Sequence, residues 1–333
     1  INPNSVSVIC EIASAHGGDA ETLKKMLSEA NSVGADWTKV QIYNFESLVA
    51  EENESFKDLK VIELHSQEWL DIISYAGQLK TRLIAEVFDL KSLHLVANEA
   101  AVQAFKIPTA DLGDRNFVAE VCALGKPVFV AVGGANIDEI DEIYDQISAY
   151  DDIELILLHG IQNFPTKLED SYLSKIRLLK QRYGCEIGFA DHIDAEDGEL
   201  SRALPAMAIA AGASVIEKHL TLDRSKRGFD YYSALNPNEF LSFVKFVRKV
   251  FHAMGPQNSL ELSPAEMTYR HKMKKFAVLD HDVEKGSAVY KANVKFRRTS
   301  SSGITRKELK GYKNKLFASN FKKNSILTKD FFK

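Results

Sequence analysis

The chain has 333 residues, 45% of them hydrophobic and 26% charged. That is ordinary globular composition, long enough for about two domains, and it excludes a chain disordered throughout. The net charge of −4 gives no general argument for nucleic acid or an anionic membrane, and the longest weakly polar stretch, residues 203–216, is too short to span a bilayer. Three scattered cysteines, Cys10, Cys122 and Cys185, fit a reducing compartment and not a disulfide framework. No secretory leader is visible, so a cytoplasmic protein is expected.

Apolar runs bounded by turn residues alternate with amphipathic stretches along most of the chain. The first strand is expected at 6–14 (VSVICEIAS), with a helix at 19–33. A strand at 37–44 (WTKVQIYN) follows, then an acidic surface loop at 44–65 and a helix at 67–79. Strands at 82–89, 104–111 and 127–134 precede a helix at 137–149, which Asn136 and Glu139 open as a capping box. A strand at 153–162, a helix at 169–183, a strand at 186–193, a helix at 199–211 and a strand at 215–222 complete the series. Eight such units in about 250 residues is the arithmetic of a (β/α)₈ TIM barrel. The alternative, an open doubly wound sheet, rarely needs eight parallel strands, and no Gly-x-Gly-x-x-Gly follows the first one. A long helix at 238–254 would close a barrel domain of residues 1–254, and 255–270 reads as a linker. Residues 271–333 have short strands and turns and read as a small β-rich domain.

That tail carries 17 Lys/Arg against 5 Asp/Glu, while the preceding 270 residues have a net charge of −16. A basic tail could bind nucleic acid. Because the tail has its own apolar pattern and an acidic partner on the same chain, attraction between the two parts, within a chain or between subunits, is the preferred reading.

Barrel strands are buried on both faces and should be almost wholly apolar. Here the first carries Glu11, the second Lys39 and Gln41, the fourth Lys106, the sixth His159, the seventh Asp191 and His192, and the eighth Glu217 and His219. All lie toward the C-terminal strand ends, where barrel enzymes keep their active sites. Each also has a plainer explanation. Glu11 and Lys39 could be a core ion pair, and a lone strand histidine is more often a satisfied core residue than a ligand. His192 and His219, on neighbouring strands ~5 Å apart, make a better ligand pair. Imidazole suits Zn, Mn, Fe or Co, with water and substrate completing the shell. Two lysines facing one pocket point to an anionic substrate, a phosphate or a carboxylate. Spacing alone leads to condensation or lyase chemistry on a phosphorylated acid.

VICEIASAHGGD, GADWTKVQ, FKIPTAD, LLHGIQNFPT, GFADHI and GASVIEKHLTLDR stand in that order, followed in the tail by DVEKGSAVYKANVKFRR and NFKKNSILTKDFF. Together they resemble the motifs of the sialic acid synthase family. Its members condense phosphoenolpyruvate with an N-acetylated aminosugar and end in an antifreeze-like (SAF) domain. The resemblance implies that His192 and His219 bind a divalent metal, Mn²⁺ with Mg²⁺ or Co²⁺ as alternatives. It implies that Lys39 and Lys106 hold the phosphate and carboxylate of phosphoenolpyruvate, with Thr109 at a phosphate-contacting position. Glu11, Gln41, Asp111 and Asp230 would surround the sugar and the forming bond, and His159 and Gln162 would also touch substrate. Arg298 would enter the neighbouring subunit's site in a domain-swapped homodimer. The chain departs from the family pattern at Ala15, Glu86, Gly160, Gln162, Phe164 and Ala234, with Glu86 where a phosphate-contacting Thr is usual. The expectation is a divergent, C–C bond-forming transferase with its aminosugar open. Another metal-dependent aldol-type enzyme and a non-catalytic paralogue are the alternatives.

Overall fold

The computed structural model describes residues 5–163, 165–256, 259–289 and 294–333. Phe164 and residues 290–293 of the tail motif lie outside them. The chain divides into two compact units, Ile1–Gly255 and Pro256–Lys333.

The first unit runs β1 (Ser7–Glu11), α1 (Ala20–Ser32), β2 (Trp37–Ile42), α2 (Phe45–Leu48), α3 (Phe56–Ile62), α4 (Ser66–Gln78), β3 (Leu83–Val87), α5 (Leu90–Val96) and β4 (Val102–Ile107). It continues through α6 (Arg115–Cys122), β5 (Val128–Ala131), α7 (Ile137–Ser148), β6 (Leu155–His159), α8 (Ser174–Tyr183), β7 (Glu186–Asp191), α9 (Leu200–Ala211), β8 (Val215–Leu220), β9 (Ala234–Leu235) and α10 (Pro237–Met254). Each of the eight main strands pairs in parallel with the next, and β8 pairs with β1. The sheet is therefore a closed (β/α)₈ TIM barrel, with each strand inside its expected segment except β4, which begins two residues earlier, at Val102. The acidic loop after β2 holds the short helices α2 and α3.

Alternation along the strands sorts residues into two cores. Ile9, Trp37, Ile84, Ala104, Phe129, Ile156, Leu158 and Val215 point inward and fill the barrel. Their neighbours, such as Val8, Cys10, Val40 and Ala85, face outward and pack under the helices. On α1, Leu23, Met26, Leu27 and Ala30 supply the matching stripe, and the Asp19 side chain accepts from the Glu21 and Thr22 N–H groups to cap the first turn. The capping box of Asn136 and Glu139 opens α7. Pro237 starts α10, which buries Phe240, Phe243, Val244 and Val247.

At the C-terminal rim, two glycines let backbones touch. A Cβ on Gly133 would overlap the Gly160 carbonyl oxygen, and one on Gly160 would overlap that of Ala190. Gly160 also has φ +142°, outside the range of L side chains.

In the second unit, α11 (Pro264–Met273) occupies part of the segment expected as linker, opened by a capping box of Ser263 with Glu266. β10 (Lys275–Leu279) and β11 (Val294–Arg298) form an antiparallel pair, and α12 (Arg306–Leu309) follows. Ala277, Leu279, Val283, Val289, Val294, Ile304, Phe317 and Leu327 form its core. The two halves of the tail pattern, 283–289 and 321–327, place Gly286 and Asn324 at the same step, both in the left-handed region. The halves meet through the Val283–Phe321 bridge. Among the described residues no helix is long and apolar enough to cross a membrane.

Gly160→Ala combines backbone strain with a backbone overlap, so a loss of about 3 kcal/mol or more is expected in urea unfolding. A loss under about 1 kcal/mol would show that the rim relaxes freely.

Candidate active site

Strand register builds the site. Glu11 lies opposite Lys39 on β2 and His219 on β8. Gln41 lies opposite Glu86 on β3, and Glu86 opposite Lys106 on β4. With a side-chain period of two, these positions sit one step above the inward apolar layer, or two for Gln41 and His219, and point into the barrel mouth.

There they form one buried charge cluster. Lys39 pairs with Glu11 and Glu86, and its Nζ lies 3.3 Å from Glu217 Oε1. Lys106 Nζ donates to both Glu217 oxygens, at 2.9 and 3.2 Å, and lies 3.5 Å from Glu86 Oε1. Gln41 Nε2 donates to Glu86 Oε2 at 3.1 Å. All five charged side chains are about 1% exposed, so three carboxylates face two ammoniums out of water. Removing either lysine from such a set leaves buried carboxylates uncompensated, at a cost of about 3–5 kcal/mol.

Burial favours the neutral form of every member, and the neighbours decide the outcome. Burial alone would raise Glu217 and Glu86, but the Lys106 and Lys39 ammoniums hold both below the usual carboxylate range. Burial opposes the charge on Lys106, yet Glu217 and Glu86 hold it above the ordinary lysine range. Burial pulls Lys39 down, only partly countered by Glu217 and Glu86 and reinforced by Lys106. Glu11 also fixes the backbone beside it: its Oε1 accepts from Ala13 N–H at 2.6 Å, and Ala13 sits at φ +44°.

His192 and His219 meet next to this cluster, ring centres 5.1 Å apart and both buried. Burial is the main reason both rings stay neutral, His192 down at about 4 and His219 well below its usual value. His192 Nδ1 lies 3.2 Å from the Ala190 carbonyl; donation there leaves Nε2 as the lone-pair nitrogen. Two neutral imidazoles at one mouth fit as part of the shell of a divalent cation. Among the described residues no group of three or more His, Cys, Asp or Glu could hold a metal ion, so water and substrate would supply the other positions.

The other expected residues divide. Asp230, at φ +59°, accepts from Ser14 N–H at 3.1 Å, which ties the loop after β8 to that after β1. Burial raises Asp230, and burial with Asp114 and Glu86 nearby raises Asp111. The Thr109 hydroxyl donates to the Ala131 carbonyl at 3.1 Å. His159 faces away from the mouth. Ile156 and Leu158 take the inward positions of β6, and His159 Nε2 lies 2.9 Å from the Ser171 carbonyl. Gln162 is exposed on the loop after β6, and Arg298 is exposed at the end of β11 in the second unit. Asp191 pairs at 2.8 Å with Lys218, both facing outward from the barrel. Two members went unassigned in the sequence reading. Glu217 was signalled by standing two residues before His219, and Glu86 only as a departure from a motif.

The barrel agrees with the comparisons. The NeuB family profile matches residues 26–259. The chain is a member of the NeuB family. An uncharacterised protein of Methanocaldococcus jannaschii is 31% identical over 87% of this chain and 84% of its own. The N,N'-diacetyllegionaminic acid synthase of Campylobacter jejuni is 25% identical over 96% of this chain and 98% of its own. Among solved structures, the N-acetylneuraminic acid synthetase of Leptospira borgpetersenii, in complex with citrate, superposes with a TM-score of 0.73. It is 28% identical and aligned over 81% of this chain and 92% of its own. Within this family the chain is a synthase-type enzyme, and its modest identity to named members marks it as divergent.

His16, behind β1, is also held down at about 4, chiefly by burial. An unfolded histidine titrates near ~6.5, so on acidification the unfolded chain takes up protons first. Stability from neutral His16 and His192 is present above about pH 6.5 and is lost as pH falls toward their folded values, by up to about 1.4 kcal/mol per pH unit for each ring. Urea unfolding in chelator between about pH 7 and pH 5 should show this slope, and His16→Gln should reduce it by one ring's share. A slope that His16→Gln leaves unchanged contradicts the assignment.

Proposed function

We propose that this family member condenses phosphoenolpyruvate with the open-chain aldehyde of an N-acetylated, N-acetylmannosamine-like aminosugar, giving a nonulosonic acid and inorganic phosphate. One observation carries the reading: on a NeuB-family barrel, two lysines, two neutral histidines and the Glu11 carboxylate converge on the C-terminal mouth. The legionaminic and neuraminic acid synthases among its relatives support a product of that class.

In this reading Lys39 and Lys106 hold the donor's phosphate and carboxylate, with Thr109 and Gln41 beside them. Gln162 closes over the donor from its loop, and His159 positions that loop through Ser171. His192 and His219 hold the divalent cation, Mn²⁺ with Mg²⁺ or Co²⁺ as alternatives, which supplies Lewis acidity toward the aldehyde oxygen. Asp111 and Asp230 meet the sugar's hydroxyl and amide groups. The donor's methylene carbon bonds to the aldehyde carbon, which leaves positive charge at the donor's C2. A water oxygen adds there; Glu11 takes one of its protons and passes it to the former aldehyde oxygen, which becomes a hydroxyl, and the C–O bond to phosphate breaks as the second proton leaves with the phosphate and C2 becomes a ketone. Holding both substrates in line supplies much of the rate. Residues 271–333 act as an SAF domain, residues 255–270 connect it to the catalytic domain of 1–254, and in a domain-swapped homodimer Arg298 serves the partner's site. The opposite charges of tail and barrel support that assembly. We place the enzyme in the cytoplasm, acting without nucleic acid or membrane.

The pairing of Glu86 with both lysines favours a second reading, an aldol-type enzyme whose donor carries no phosphate. The test is phosphate release from phosphoenolpyruvate against a panel of N-acetylated mannose- and altrose-type sugars, with Mn²⁺ or chelator. Metal-dependent release with at least one sugar is expected, and His219→Ala should lower it at least about 100-fold. No release from folded, metal-loaded protein across the panel would overturn the proposal.

A further inference from the structure

Lys39 and Lys106 enter the barrel from β2 and β4, and Glu86 stands on the strand between them. Its two oxygens are divided between the two lysines: Oε2 pairs with Lys39, and Oε1 lies 3.5 Å from Lys106 Nζ. Gln41 holds the Oε2 side at 3.1 Å. A carboxylate shared in this way between two ammoniums uses the same protons that an incoming phosphoryl anion would need.

Glu86 differs from the other two carboxylates. The Glu11 carboxylate has a backbone task, since its Oε1 holds Ala13 N–H. Glu217 makes two short bonds with Lys106 and lies beside the histidine pair. Among the described residues, the ion pairs and hydrogen bond of Glu86 go to the two lysines and to Gln41. With Glu86 in place the cluster has one more carboxylate than it has ammoniums, so, with no cation at the histidines, a phosphoryl dianion would enter a site of its own sign. With Glu86 neutral or absent, two lysines face two carboxylates and the lysine face turns toward the newcomer.

We propose that Glu86 is a specificity-determining residue that occupies the phosphoryl subsite as an internal anion, and that a phosphoryl ligand binds the lysines only by displacing it. This deepens the proposed function and rests on it for the identity of the donor. The consequence is weak phosphate affinity in the natural protein and tighter affinity once the charge at residue 86 is removed.

The experiment measures binding of inorganic phosphate and of phosphoenolpyruvate by calorimetry to the full chain, Glu86→Gln and Glu86→Thr, with the KM for phosphoenolpyruvate in the sugar assay. Both variants should bind inorganic phosphate at least about tenfold more tightly than the natural protein, and phosphate should raise their melting temperatures more than its own. Unchanged or weaker phosphate binding in both variants overturns the proposal. If the variants fold only in phosphate, the anion is replacing the lost carboxylate and the proposal stands. If neither folds even in saturating phosphate, Glu86 is a structural counter-ion and the proposal falls. Tighter phosphate binding without phosphoenolpyruvate turnover in any form of the protein would keep the subsite and remove the proposed donor.

Discussion

The site depends on one constraint, that the ammoniums of Lys39 and Lys106 cannot stand alone out of water. Each is about 1% exposed, and the energy of placing an ion there is recovered only through close, well-directed partners. Glu11, Glu86 and Glu217 are those partners, and Glu217 reaches the lysines only because the barrel closes. Glu11 on β1 and Glu217 on β8 are neighbours through the β1–β8 pairing, while Glu86 arrives from β3. An open sheet would leave Glu217 at the far edge from Lys39. Closure and charge balance are therefore one requirement seen at two scales.

Below the cluster the barrel is filled by Ile9, Trp37, Ile84, Ala104, Phe129, Ile156, Leu158 and Val215. This apolar plug excludes water from beneath and lowers the dielectric around the charges, which strengthens every pair above it. It also keeps His192 and His219 neutral, the form that ligates metal. At the rim, Gly133 and Gly160 let three strand ends close up, and Asp230 ties the last loop to the first. The same packing that stabilises the barrel thus fixes the geometry of its mouth.

The eight strands were legible because each is an apolar run bounded by turn residues, and the polar residues near their ends marked the mouth. Helices α5 and α6 were harder to see, since seven and eight residues carry only about two turns of periodicity. α11 has a readable start in Ser263, Pro264 and Glu266, although the turn-rich run before it gives the segment the texture of a linker. His159 shows a limit of pattern reading. In LILLH both faces are apolar, so alternation cannot tell which parity points inward, and the register chose Ile156 and Leu158. Glu86 shows another. A carboxylate on strand three could have turned away from the lysines, and only the distances across strands two, three and four decide that it joins them.

The central claim is that the two lysines form the donor's anion site and that Glu86 yields it. A crystal structure of the protein with phosphoenolpyruvate bound tests this most directly. The account predicts the donor's phosphate within hydrogen-bond distance of Lys39 and Lys106 Nζ, with the Glu86 carboxylate turned off both. Phosphoenolpyruvate bound while both Glu86–lysine pairs stay intact, or bound away from the barrel mouth, would contradict it.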